Sequence, residues 1–313
     1  MRKIFKKIGT GFAILIGIVL IFLLALSIVH RIMLNIEEKE IVPNGQFVEV
    51  NGHFMHIYIE ESNENAPLLV FLSGAGTAAP VYDFKPLYSL LLNEYRVAVV
   101  EKIGYGYSEI ADVPRDIDTI LSETRTALSL LGERGPYILL PHSMSGLEAL
   151  RWTQLYPDEV KGIIGIDMAM PSVYEQINSP PLIMLKALAW MGVQRVSFVY
   201  PVSDLALMQD EYRQARLLTY RNAINKSMMN EGNEVYKNAQ IVSDIGIPDV
   251  PMLLLVSDGI EIGEFWIQCQ EEFARQSNAR IEYFDCGHYI HQHEPEKVAA
   301  LCREFIEHNI KSH

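Results

Sequence analysis

From Tyr137 to Ser145 the chain reads YILLPHSMS, and Gly146 opens a helical pattern. An apolar strand runs into Ser143, and the chain turns at once into a helix. A serine on such a turn lifts its hydroxyl clear of the strand, which is how a sheet presents a nucleophile. The next residue, Met144, would aim its backbone N–H at a developing oxyanion, at the positive end of the following helix. The competing reading is an ordinary strand–turn–helix in which Ser143 is only the helix cap.

The elements that must position this serine can be read from apolar runs. Gln46–Val50 and His53–Glu60 are β-like runs around a turn at Asn51-Gly52. Leu68–Leu72, Tyr95–Val100, Tyr137–Leu140, Val160–Ile166, Met252–Val256 and Arg280–Phe284 are short strand candidates. Helical periodicity falls between them, at Ile117–Leu131, Gly146–Tyr156 and Glu294–Ile310. Buried strands alternating with helices predict an α/β fold with a mostly parallel sheet, covered by helices on both faces. Residues 171–248 break that rhythm. They hold helical patterns and no clear strand, as a cap inserted after the sixth strand would. Met184, Leu185, Leu188, Trp190, Met191 and Phe198 make its first half apolar.

The N-terminus is a separate object. Arg2, Lys3, Lys6 and Lys7 precede an uncharged run from Ile8 to Val29, closed by His30 and Arg31. As a helix the run spans roughly 33 Å, enough to cross a bilayer core. Four basic residues before the run and one after it predict a cytoplasmic N-terminus. Ala25-x-Ser27 is a small-x-small site, so a cleaved signal and a secreted form are the alternative. The expected division is a basic tail and transmembrane anchor at 1–31, a linker at 32–45 and one domain at 46–310.

The first 31 residues hold five of the 26 basic residues and no acidic one. The remainder therefore carries 21 basic against 39 acidic residues, a net charge of −18. Such a surface excludes nucleic acid and anionic headgroups as partners. Cys269, Cys286 and Cys302 are too few for a disulfide framework and fit no zinc spacing. Buried free thiols are expected, with one disulfide as the alternative.

From about residue 46 to 310 the chain resembles the α/β-hydrolase superfamily. Ser73-Gly74 stands where that family usually has His-Gly before its oxyanion loop. EKIGYGYS at 101–108 is similar to its D-x-x-G-x-G-x-S loop. The Ser143 turn resembles its G-x-S-x-G elbow, with Pro141 and Ser145 in place of the two glycines. Gly287-His288 followed by Glu294-Pro295 resembles the stretch that carries its histidine.

The resemblance implies a triad. A serine hydroxyl needs a base to take its proton as it attacks, and imidazole exchanges protons near neutral pH. His288 is the expected base. The acid must orient that imidazole and stabilise its cation. The family commonly places it after the seventh strand, near Asp258 or Glu261, roughly nine residues past a proline like Pro251; that position here is Ile260. A second family arrangement puts it after the sixth strand, at Asp167. Asp167 leads, with Asp258 as the alternative acid and Glu261 behind both. The oxyanion hole is expected from the N–H groups of Ala75 and Met144. His142 is read as packing beside the elbow. His291 and His293 share no third ligand, so no metal is expected, and no cofactor is implied.

The resulting expectation is a membrane-anchored serine hydrolase acting on a small acyl substrate, an ester before an amide. A proline-iminopeptidase-like exopeptidase and a non-catalytic hydrolase-fold binding protein are the alternatives. The charge asymmetry predicts that protease added to intact cells digests the domain beyond residue 46. Protection until lysis would reverse the orientation, and a mature chain starting near Ile28 would identify a cleaved signal.

Overall fold

The computed structural model describes residues 2–61, 65–177, 181–196 and 206–310, with the backbone alone for 2–8. Phe198 lies outside the described residues, as do the side chains of Arg2, Lys3, Lys6 and Lys7.

The chain begins with α1 (Arg2–Glu37), a helix long and apolar enough to cross a membrane. Its apolar stretch is almost uncovered by protein. The expected linker at 32–45 is not free chain. Helix α1 continues through Ile32, Met33, Leu34 and Ile36, and a 3₁₀ turn follows at Glu38–Glu40. Distant partners hold this segment. Arg195 forks onto the Glu37 carboxylate at 2.9 and 2.6 Å, and Gln214 donates to the Glu40 carbonyl at 2.8 Å.

The body then runs β1 (Gln46–Val50), β2 (His53–Glu60), β3 (Leu68–Leu72), α2 (Pro80–Asp83), α3 (Lys85–Leu91), β4 (Arg96–Glu101), α4 (Ile117–Leu130), β5 (Tyr137–Pro141), α5 (Gly146–Leu155) and β6 (Val160–Ile166). The insert carries α6 (Leu182–Trp190), α7 (Gln209–Asn222) and α8 (Lys226–Ile245), and no strand among the described residues. The chain closes with β7 (Met252–Val256), α9 (Glu264–Ser277), β8 (Arg280–Tyr283), α10 (Ile290–His293) and α11 (Pro295–Asn309).

The eight strands form one sheet in the order β1-β2-β4-β3-β5-β6-β7-β8. Strand β2 pairs antiparallel with β1 and β4, and β3 to β8 are mutually parallel. The α/β architecture expected from the apolar runs is therefore the one observed. Alternate residues of one strand serve opposite faces. Leu68, Val70 and Leu72 enter the core beneath α4, α5 and α9, while Leu69 and Phe71 enter the core beneath α3 and α11. Burial on both faces explains why these strands read as unbroken apolar runs. The cysteines are free, with Cys269 and Cys302 buried.

The loop after β4 locks the insert to the body. The buried Glu101 carboxylate accepts from the Tyr107 N–H at 2.7 Å and the Val81 N–H at 3.3 Å. His56 Nδ1 also lies 2.9 Å from it, off the direction of a hydrogen bond. Asn222, at the end of α7, donates to the Gly106 and Ala78 carbonyls at 2.7 and 2.8 Å. Gly106 is in the left-handed region at φ +50°, and a Cβ there would overlap the Glu101 carboxylate. Gly106→Ala should therefore lose about 3 kcal/mol, from left-handed strain and a displaced buried acid. A denaturant titration that leaves its midpoint at the wild-type value would refute this role.

Candidate active site

Strand β5 delivers Ser143. Pro141 is the last strand residue, opposite Leu72, where its missing N–H breaks no long ladder. The next N–H, that of His142, returns to the Leu72 carbonyl at 3.0 Å. Ser143 then adopts φ +53°, a left-handed conformation that costs a non-glycine residue about 1–2 kcal/mol. Its carbonyl is fixed by the Ala169 N–H at 2.7 Å. Its Oγ makes no hydrogen bond among the described residues, including to His288.

The two departures from the glycine pattern have physical explanations. Ser145 is buried, and its hydroxyl lies 2.6 Å from the Leu72 carbonyl and 2.8 Å from that of His142. It pins the turn instead of vacating space. Glycines at other positions allow the close approaches. A Cβ on Gly74 would stand 2.7 Å from Ser143 Cβ, and one on Gly146 would stand 2.5 Å from the Ala169 carbonyl. The loop after β3 is thus pressed against the serine. Ala75, the next residue in that loop, is exposed, and its N–H has no partner among the described residues. Met144 lies at the opening of the helical stretch, where N–H groups have no intrahelical acceptor.

His288 follows β8, with its side chain only 14% exposed. Its Nδ1 lies 2.6 Å from Asp167 Oδ2. Asp167 follows β6, also in a left-handed conformation at φ +45°, and is fully buried. Its other oxygen accepts from the Ser257 N–H at 3.0 Å and from Trp266 Nε1 at 2.8 Å. With Nδ1–H donated to Asp167, His288 is left with Nε2 as the free base position.

The other two carboxylates face elsewhere. Asp258 turns back to accept the Ile260 N–H at 2.9 Å, within its own loop. Glu261 accepts the His288 backbone N–H at 3.1 Å and does not bond to the ring. Both steady the loops around the imidazole. Trp266 and Ser257 were invisible to sequence reasoning. Trp266 shares an apolar helix face with Cys269 and Phe273 and reads as plain core.

His142 is buried behind His288, with ring centroids 4.6 Å apart. Its Nε2 lies 3.2 Å from the His288 carbonyl, so the donor there is His142. Burial, then the neighbouring His288 and His291, push its pKa well below the usual imidazole range. His291 bonds Asp83 at 3.0 Å, and His293 is exposed.

Below Met144 and Ser145 lies a small cavity bounded by Lys102, Glu148, Glu231 and Asn238, with room for about one water. Lys102 Nζ is 2.5 Å from Glu231 Oε1, and the Tyr105 hydroxyl donates to the other oxygen. That hydroxyl also accepts the Gly76 N–H at 3.3 Å. One buried network therefore joins α8 of the insert to the loop beside Ser143. Glu148 accepts from Thr124 at 2.6 Å, and burial raises its carboxyl pKa.

The chain is similar to known proteins. The alpha/beta hydrolase family model matches residues 69–301. The uncharacterized protein YbdG of Bacillus subtilis (strain 168) is 35% identical over 323 residues, covering 98% of this chain and 99% of its own. A pimeloyl-(acyl-carrier protein) methyl ester esterase of Shewanella woodyi is 23% identical over 197 residues, covering 59% of this chain and 72% of its own. The crystal structure of epoxide hydrolase A from Mycobacterium thermoresistibile matches with a TM-score of 0.65 at 16% identity, covering 85% of this chain and 99% of that one. That identity speaks for the fold alone. With a family match over most of its length and a full-length relative, this chain belongs to the alpha/beta hydrolase family.

Proposed function

We propose that the chain is a serine hydrolase that cleaves carboxylic esters through an acyl-enzyme on Ser143, held at a membrane by α1. The observation that carries this reading is the 2.6 Å contact between Asp167 Oδ2 and His288 Nδ1, at the strand ends beside the left-handed Ser143. The chemistry follows from it. Ser143 Oγ attacks the ester carbonyl carbon as its proton passes to His288 Nε2. The carbonyl oxygen takes up the negative charge between the N–H groups of Ala75 and Met144. Collapse expels the alcohol, which receives the proton from His288. Water, deprotonated by the same imidazole, then attacks the acyl-serine and releases the acid. Asp167 stabilises the imidazolium in both halves.

Several features support an ester over other substrates. A serine nucleophile gives an intermediate that water can open at carbon, whereas dehalogenation needs a carboxylate nucleophile. A relative with 23% identity is an ester esterase. An exopeptidase would call on an acidic cap residue to hold the substrate's amino group, and Glu231 of the insert is already committed to Lys102 and Tyr105.

A fluorophosphonate probe tests the nucleophile on the full chain in detergent. Ser143→Ala should abolish labelling while the unfolding midpoint stays near wild type. Labelling that survives in Ser143→Ala and disappears in Ser145→Ala would sink the assignment. The acid is tested by rate. Asn at position 167 keeps the acceptor for Ser257 and Trp266 and loses the charge facing His288. Asp167→Asn should lose at least ~10²-fold in turnover of an activated ester, about 2.7 kcal/mol of barrier, with Asp258→Asn near wild type. The reverse pattern would hand the role to Asp258.

A further inference from the structure

The end of α1 is seated on the insert, and this fixes the height of α6. Arg195 donates to His30 Nδ1 at 2.8 Å and forks onto Glu37. His30 is buried against Gly192, which sits in the left-handed region at φ +81° and where a Cβ would stand 2.6 Å from the His30 Cβ. The Arg31 guanidinium lies 4.0 Å over the Trp190 ring. Arg31 is the second residue past the uncharged run that ends at Val29, roughly 3 Å along a helix axis. The C-terminal end of α6 is therefore held level with the end of the apolar span.

Helix α6 reads LIMLKALAW. Leu182, Leu185 and Ala189 are half-buried, and Leu182 packs over Gly232 of α8. The outward side is also apolar. Ile183 is 70% exposed, Trp190 59% and Met184 51%, with Leu188 beside them. Lys186 is the only charge on the helix. A short helix with apolar residues on both its inner and its outer side belongs in a core or in lipid, and here the outer side has no protein over it among the described residues. The net charge of −18 beyond residue 31 argues against an electrostatic contact with anionic lipid, so the contact must be apolar. A tryptophan paired with an arginine at the end of an apolar span is the residue pair that settles at a bilayer boundary.

We propose that α6 is a membrane-contacting element of the cap, with Ile183, Met184, Leu188 and Trp190 dipping into the headgroup–acyl boundary of the bilayer that α1 crosses. The inference rests on α1 being a membrane anchor and does not depend on the chemistry at Ser143. It gives the body a second, in-plane attachment and fixes which side of the cap faces lipid.

Tryptophan fluorescence tests it on the full chain in phosphatidylcholine vesicles. Of the three tryptophans, Trp152 and Trp266 are buried and α1 has none, so Trp190 is the one open to a quencher. Brominated acyl chains should quench the emission, and Trp190→Phe should remove that quenching. Ile183→Glu combined with Met184→Glu should reduce it while fluorophosphonate labelling in detergent persists, which separates a lost contact from a lost fold. Quenching by aqueous acrylamide alone would put the face in water and overturn the proposal. Protection from both quenchers would mean that another protein surface covers it, and would also overturn it. A chain that does not float with the vesicles refutes the anchor and this inference together. A chain that is quenched by brominated lipid but unlabelled by the probe refutes only the serine-hydrolase reading.

Discussion

The structure depends on two residues held in a backbone conformation that their side chains disfavour. Ser143 and Asp167 stand at the ends of adjacent parallel strands, with φ of +53° and +45°. Each costs on the order of 1–2 kcal/mol where a glycine would cost little. The surroundings hold both in place. The Ser143 carbonyl is bonded to Ala169, and the Asp167 N–H donates to Leu255 at 2.8 Å. The strands behind them are buried on both faces, so neither can relax without moving the sheet. The same turn that strains each backbone swings its side chain off the strand axis. That turn brings the carboxylate after β6 to the His288 imidazole, with the serine at the end of the neighbouring strand β5.

A second constraint ties the insert to this geometry. The loop at 101–108 carries Glu101 on its core side and Tyr105 and Lys102 toward the insert. Tyr105 touches Gly76, next to Ala75, and Glu231 on α8. A buried Lys–Glu pair gains little net stability over apolar packing, but loss of one partner strands a charge. The arrangement therefore specifies more than it stabilises. It sets one position of α8 relative to the loop beside Ser143, so a shift of the insert is transmitted to Gly76 and the loop that carries Ala75.

Much of this was legible in the residues, and the failures have physical causes. Ser143 stood out because a strand running into a helix leaves a local signature. The central strands needed no more than buried apolar runs of five to seven residues, while their order in the sheet is set by pairings that no run announces. The acid was ambiguous because Asp167 and Asp258 both follow buried strands, β6 and β7, that lie side by side. Spacing along the chain does not say which way a carboxylate turns. The left-handed φ at Asp167 and the Ile260 N–H donated to Asp258 turn the two carboxylates in different directions, and both are conformational facts. Ser145 was readable as small but not as a donor to Leu72. The clamp on α1 was hidden for another reason: Arg195 is 158 residues from Glu37, and no local pattern announces such a pair.

The histidines around the site complete the electrostatic picture. In the proposed reaction the His288 ring would carry a positive charge, and the Asp167 carboxylate lies 2.6 Å from its Nδ1. The His142 ring lies tilted beside it, with ring centroids 4.6 Å apart and an interplanar angle of 40°. A cation there would oppose protonation of His288, since two like charges at that range in a poorly hydrated site repel by several kcal/mol. Burial prevents it by holding His142 well below the usual imidazole range, so the ring stays neutral and acts through its N–H to the His288 carbonyl. In that reaction the imidazolium would have the Asp167 carboxylate at its Nδ1 and a neutral ring beside it that does not oppose the charge. In that reading the local charge at His288 is set by one buried carboxylate, the two N–H groups bonded to it and the exclusion of a second cation.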